Sequence, residues 1–176
     1  SRAEKIAFWL NAYNAFTVRL ILDHHPLRSI RNIGWLPGAA FRMPFIPMAG
    51  LRGGDMSLDD IEHRVLRAEF GEPRIHFALV CAARSCPPLR AEAYRAADLE
   101  QQLDDQGRRF LGDRNKNRVD SEAGTLYLSA IFKWFRPDFE TNGPLGSFVA
   151  PYLDLQTTDI VNFEIEFLDY DWSLNE

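Results

Sequence analysis

Arg74-Ile75-His76-Phe77-Ala78-Leu79-Val80-Cys81-Ala82-Ala83-Arg84-Ser85-Cys86-Pro87-Pro88 is the stretch on which the fold and the chemistry turn. It holds both cysteines of the chain and one of its four histidines. Its apolar run, bounded by Gly71-Glu72-Pro73 and by two prolines, predicts a central strand over 74–82 that enters a tight loop. With period 2, Ile75, Phe77, Leu79 and Cys81 share one face, and His76, Ala78, Val80 and Ala82 share the other.

Cys86 follows that strand by a few residues. Pro87 and Pro88 suit the first turn of a helix, so the sulfur is expected near a helix N-terminus with Arg84 close by. Both influences favour the thiolate. His76 offers a base near neutral pH. The alternatives for these residues are a core histidine satisfied by backbone and a half-buried cysteine that behaves as a small hydrophobe. Cys81, on the strand, reads as buried and inert. It is five residues from Cys86, close enough for a disulfide if the loop folds back.

Outward from this stretch, Ser57-Leu58-Asp59-Asp60 caps a helix over 58–70 whose apolar stripe is Leu58, Ile61, Val65 and Leu66. Glu62 falls inside that stripe. A carboxylate on a buried face needs a partner or a task, such as orienting His76 or pairing with an arginine. His63 points off the stripe. Further back, Ser1-Arg2-Ala3-Glu4 is a capping box that predicts a long helix over 2–24, ended by His25-Pro26. That helix is apolar on most sides, as befits a central position. Asn11 and Asn14 interrupt it. An amide is poor in a helix interior unless it is used, so these two either clamp the following loop or line a pocket, where one could donate to an oxyanion. Ser85 and Arg84 are further candidates for such a pocket.

Residues 26–55 read as a long ordered loop with a short strand near 41–47. Beyond the central stretch come a helix over 96–111 with Leu99, Leu103, Phe110 and Leu111 on one side, a hairpin over 118–128, short helices over 128–134 and 145–153, and a strand over 162–169 with one wet face. The fold class is α+β: one helix-rich domain, 1–176, packed on a small antiparallel or mixed sheet. Papain-like and transglutaminase-like folds, which pair a helix-borne Cys with a strand-borne His, provide an analogy, although here His precedes Cys.

Composition narrows the function. Of 176 residues, 46% are hydrophobic and 26% charged, close to globular averages. The net charge of −5, with scattered basic residues, argues against nucleic-acid binding. No apolar run is long enough for a transmembrane segment. No signal-peptide pattern is present, and the chain opens at Ser1 without a Met, which reads as a fragment lacking N-terminal residues. There is no phosphate loop, nucleophile elbow or zincin motif. A zinc site would have to combine Cys81, Cys86 and His76; no metal and no cofactor are assigned.

Several strings together resemble the domain-of-unknown-function family DUF547: Glu4 to Ala15 (EKIAFWLNAYNA), Leu58 to His63 (LDDIEH), Pro73 to Cys81 (PRIHFALVC), Ser85 to Leu89 (SCPPL) and the closing Tyr170 to Asn175 (YDWSLN). The resemblance extends over almost the whole chain. It implies that Asn11, Asn14, Glu62, His76, Cys86 and Pro87 belong to the family pattern, and it favours a periplasmic or secreted setting. It assigns no activity. The reading of the residues is an enzyme with Cys86 as nucleophile, His76 as base and Glu62 or an Asn as its orienter, acting on an amide, thioester or peptide. The alternatives are a non-catalytic ligand- or peptide-binding module with a structural Cys81–Cys86 disulfide, and a thiol redox protein.

Overall fold

The computed structural model describes residues 1–48, 53–153, 155, 156, 160 and 162–175, so the part of the 26–55 loop at 49–52 lies outside the described residues. The fold class is α+β, helix-rich with two small sheets. The backbone packs as two compact units: Ser1–Leu99 with Asp171–Glu176, and Glu100–Tyr170.

The first unit is built on α1, Arg2–His24. Its capping box forms as expected: Ser1 Oγ accepts from the Glu4 N–H at 3.2 Å and the Glu4 carboxylate returns to the Ser1 amine. Trp9, Leu10, Tyr13, Asn14 and Thr17 are buried along one face of it, while Phe8, Val18 and Leu22 are exposed on the other, so the helix flanks its unit and is not central as its apolar sequence predicts. A 3-10 turn, Ile30–Asn32, and a short helix α2, Ala39–Arg42, stand in the loop where a strand near 41–47 is expected. Among the described residues of that loop, strand is formed at β1, Ile46–Pro47, paired antiparallel with β2, Asp55–Met56.

After β2, Ser57 and Asp60 cap each other reciprocally, Asp60 N–H to Ser57 Oγ at 3.1 Å and Ser57 N–H to Asp60 Oδ2 at 2.9 Å. Residues Asp60–Phe70 then wind as a π-helix, whose i→i+5 bonds are rare and tend to occur at functional sites. It packs against α1, with Ile61, Val65 and Leu66 buried. Gly71 ends it in the left-handed region at φ 58°, a conformation that glycine adopts without steric cost.

The strand expected over 74–82 is not formed. Ile75–Ala78 is a single helical turn, α3, followed by extended backbone from Leu79. All of residues 75–80 are buried. A short apolar run enclosed on all sides carries no periodicity that separates strand from helix. Pro73, whose carbonyl accepts the His76 N–H, opens the turn, a place where a missing N–H costs nothing.

No helix follows Cys86 either. Its N–H closes a turn onto the Ala83 carbonyl at 3.0 Å, and residues 87–95 are irregular. That turn is held by the C-terminal segment. Arg84 N–H donates to Ser173 O, Ser85 N–H to Asp171 O, and Asn175 N–H to Ala82 O. Asp171 N–H returns to Ser85 Oγ at 2.9 Å.

In the second unit, α4 (Leu99–Leu111) starts at the unit boundary and buries Leu103, Phe110 and Leu111. The expected hairpin is β3, Arg118–Asp120, against β4, Thr125–Ser129, antiparallel. β5, Glu164–Leu168, adds to β4 in parallel, so the sheet is mixed in the order β3-β4-β5. Short helices α5 (Ala130–Trp134), α6 (Arg136–Phe139) and α7 (Leu145–Val149) connect them. Phe110, Phe132, Phe139 and Phe148 form a chain of ring contacts through this core, at 6.2, 4.8 and 5.1 Å between centroids. Asn117, 1% exposed, donates to the Phe110 carbonyl and accepts the Ser129 N–H, each at 2.9 Å, tying α4 to β4.

Candidate functional site

Asn14 and Asn11 set the frame. Asn14 Nδ2 donates to the Ala78 carbonyl at 2.9 Å, and its Oδ1 accepts the Val80 N–H at 3.0 Å. Asn11 does the same to one residue, donating to Tyr94 O and accepting Tyr94 N–H, both at 2.8 Å. Each amide therefore acts as a stretch of strand edge for backbone that has no strand beside it. They clamp the segments at 78–80 and 94, not the loop that follows α1, and each amide oxygen is engaged by backbone.

The clamp on 78–80 fixes the residues to either side. His76, on α3, has a side chain only 1% exposed, with Nδ1 3.7 Å from Glu62 Oε1. Glu62, on the π-helix, is 12% exposed. Its other oxygen, Oε2, lies 3.5 Å from the hydroxyl of Tyr13, which donates to it from α1. Three elements of the first unit thus meet on one carboxyl group.

Burial dominates the electrostatics. It pushes the Glu62 carboxyl up to about 7, with the Asp59 charge one turn earlier adding to the effect, Arg67 opposing it and Cys81 adding again. Tyr13 is held well above the ordinary phenol range, first by burial, then by negative charge on Glu62, Cys81, Cys86 and Asp59. Both thiols therefore lie in the same electrostatic neighbourhood as the Tyr13–Glu62 pair. Asp59 itself is raised, chiefly by burial. His63 is exposed, as read from the stripe.

Cys86 is buried at 3% exposure. The Cys81 N–H donates to its sulfur at 2.9 Å, and its thiol reaches the Leu79 carbonyl at 3.9 Å. A backbone N–H aimed at sulfur stabilises the thiolate; it stands where a helix N-terminus was expected to do so. Neither cysteine is in a disulfide and Cys81 is partly exposed, so the disulfide of the binding-module alternative is not formed in this structure. Ala82, between Cys81 and the turn, has φ 57°, which costs a residue with a Cβ about 1–2 kcal/mol. Strain of this kind gathers at functional sites.

Ser85 and Arg84 are placed by the C-terminal segment. Ser85 Oγ is engaged by Asp171, and Arg84 is exposed, its charge helping to hold the Asp171 carboxyl low after the hydrogen bonds from Ser173. The helix-borne Cys and strand-borne His of the papain-like analogy are not formed: His76 is on a helical turn and Cys86 is in an irregular one. Tyr13 is not among the residues that the sequence singles out, since it falls within the apolar pattern of α1. Its signal was the hydroxyl, which a buried tyrosine must satisfy.

A cavity of about 400 Å³ borders the π-helix, lined by Asp55, Met56, Asp60, Arg64, Val65 and Glu69 among others, and by none of the candidate residues. Among the described residues no group of three or more His, Cys, Asp or Glu is placed to hold a metal ion. Among them, too, no helix is long and apolar enough to cross a membrane.

No curated protein and no solved structure matches the chain. A family model does, that of the protein of unknown function DUF547, over residues 1–111. The match takes in α1, the π-helix, His76 and both cysteines, while the closing Tyr170 to Asn175 stretch lies beyond it. The chain belongs to the DUF547 family.

Proposed function

We propose that the first unit carries a cysteine-dependent acyl-transfer site, with Cys86 as nucleophile, His76 as acid and base, and Glu62 and Tyr13 as positioning residues. The observation that carries this reading is the buried Tyr13–Glu62–His76 set, with Cys81 and Cys86 near enough for their charge to act on Tyr13. Packing alone has no use for it, since burying ionisable groups costs stability.

His76 takes the Cys86 proton, and the thiolate adds to the acyl carbon of an amide, thioester or peptide. The bond from that carbon to the leaving nitrogen or sulfur breaks as His76 returns the proton to the leaving atom. Water, or an acceptor nucleophile in a transferase, then attacks the S-acyl intermediate, with His76 taking its proton, and the thiolate leaves. A carboxyl titrating near 7 holds the imidazole without fixing it permanently as a cation. Glu62 therefore suits a His76 that must be neutral in one step and charged in the next.

The test is mass spectrometry of the chain after incubation with a small panel of thioesters. A covalent acyl adduct on Cys86 is expected, formed more slowly in His76→Ala and absent in Cys86→Ala. Its absence across the panel, with Cys86 unreactive to iodoacetamide until the protein unfolds, overturns the reading.

A thiol redox couple is the second reading, favoured by the 2.9 Å contact between Cys81 N and the Cys86 sulfur, which brings the two cysteines together. It requires a Cys81–Cys86 disulfide that forms and opens reversibly in a glutathione titration.

A further inference from the structure

The chain carries 25 acidic residues, yet none between His24 and Gly54. That stretch holds Arg28, Arg31, Arg42 and Arg52. At its centre, Trp35 is fully exposed at 102% and Leu36 at 68%. These two side chains sit at the tip of a braced turn. Gly34 and Gly38, on either side, take φ of +83° and +73°, and a Cβ on Gly34 would stand 2.6 Å from that of Ala39. The Ala39 N–H closes the turn onto Leu36 O at 3.0 Å, and Arg42 Nη2 donates to Pro37 O at 2.7 Å. The backbone is thus committed to displaying an indole and an isobutyl group to solvent.

The surrounding charge is one-sided. No ion pair joins Arg28 or Arg31 to a carboxylate among the described residues, and Arg31 lies over the Trp172 ring at 5.3 Å. Arg42 is partly balanced by half-buried Asp59. The Asp171 carboxylate is taken up by Ser173.

We propose that this loop docks the protein on an anionic lipid bilayer. Trp35 and Leu36 enter the headgroup region, and Arg28, Arg31 and Arg42 meet lipid phosphates. An indole suits that boundary because one end is apolar and the other carries a donor. A projecting knob of two apolar side chains is far smaller than the roughly 800 Å² a stable protein interface buries on each partner. It is sufficient for a bilayer, where apolar insertion and attraction between basic residues and acidic lipid act together. The proposal is independent of the thiol site.

The test is co-sedimentation of the whole chain with phosphatidylcholine vesicles, with and without phosphatidylglycerol, alongside tryptophan fluorescence. Binding to the anionic vesicles alone is expected, with a blue shift that Trp35→Ser removes although Trp9, Trp134 and Trp172 remain. Trp35→Ser/Leu36→Ser should abolish binding with an unchanged circular dichroism spectrum. Arg28→Gln/Arg31→Gln should weaken it by roughly an order of magnitude. Three results overturn the proposal: no vesicle binding, as a surface for an acidic protein would give; equal binding to both vesicle types; or full binding by the double tip variant.

Discussion

Glu62→Gln isolates the buried carboxyl, and its effect should change with pH. The Glu62 titration moves from 4.5 in the unfolded chain to about 7 in the fold. Between those values the native protein keeps a proton that the unfolded chain has released. Stability must therefore fall as pH rises through this window and level off above it. At about 1.4 kcal/mol for each pKa unit, the penalty reaches about 3 kcal/mol above neutral pH. Gln has the shape of the protonated acid and carries no charge. The variant should match the wild type near the lower end of the window and exceed it by up to about 3 kcal/mol at about pH 8. Urea denaturation at several pH values measures this directly. A variant less stable than wild type on the alkaline side would refute the reasoning. It would mean that Glu62 is ionised and paired with a protonated His76, the 3.7 Å contact then acting as a standing ion pair rather than a shared, titrating one.

Asn14→Ala should cost about 2–4 kcal/mol, because it leaves the buried Ala78 carbonyl and Val80 N–H without their partner; a loss under about 1 kcal/mol in urea denaturation would contradict the clamp. Ala82→Gly should raise stability by about 0.5–1 kcal/mol by relieving the left-handed backbone, net of the extra freedom glycine gains in the unfolded chain; a lower thermal midpoint would argue against strain at that position. Phe132→Ala removes a fully buried ring that contacts Phe110 and Phe139. It should destabilise the second unit by about 3–5 kcal/mol, seen as faster amide exchange in α4 and β4.

What could be read in the chain was what local rules decide. The capping box at Ser1 and the His25-Pro26 stop delimit α1, and Glu122-Ala123-Gly124 marks the turn of the β3–β4 hairpin. Glu62 announced itself as a carboxylate among Leu58, Ile61 and Leu66. What escaped depends on partners far away in sequence. Residues 75–80, apolar but for His76, are enclosed on every side, and that enclosure erases the alternation by which strand and helix are told apart. The Asn11 and Asn14 amides were legible as groups in need of partners. The partners themselves stand 64 to 83 residues further on. Cys86 draws its N–H donor from Cys81 rather than from a helix terminus, a loop geometry that no periodicity encodes.

The tie between residues 82–85 and 171–175 also has a consequence for the order of folding. The turn at Cys86 is completed by backbone from beyond the second unit in sequence, so α1 and the π-helix can assemble around Glu62 well before that loop is set. On the ribosome the two cysteines would pass through an interval with the loop still open. Through that interval the sulfur of Cys86 would be more accessible than in the finished protein, and premature oxidation would have its opportunity there.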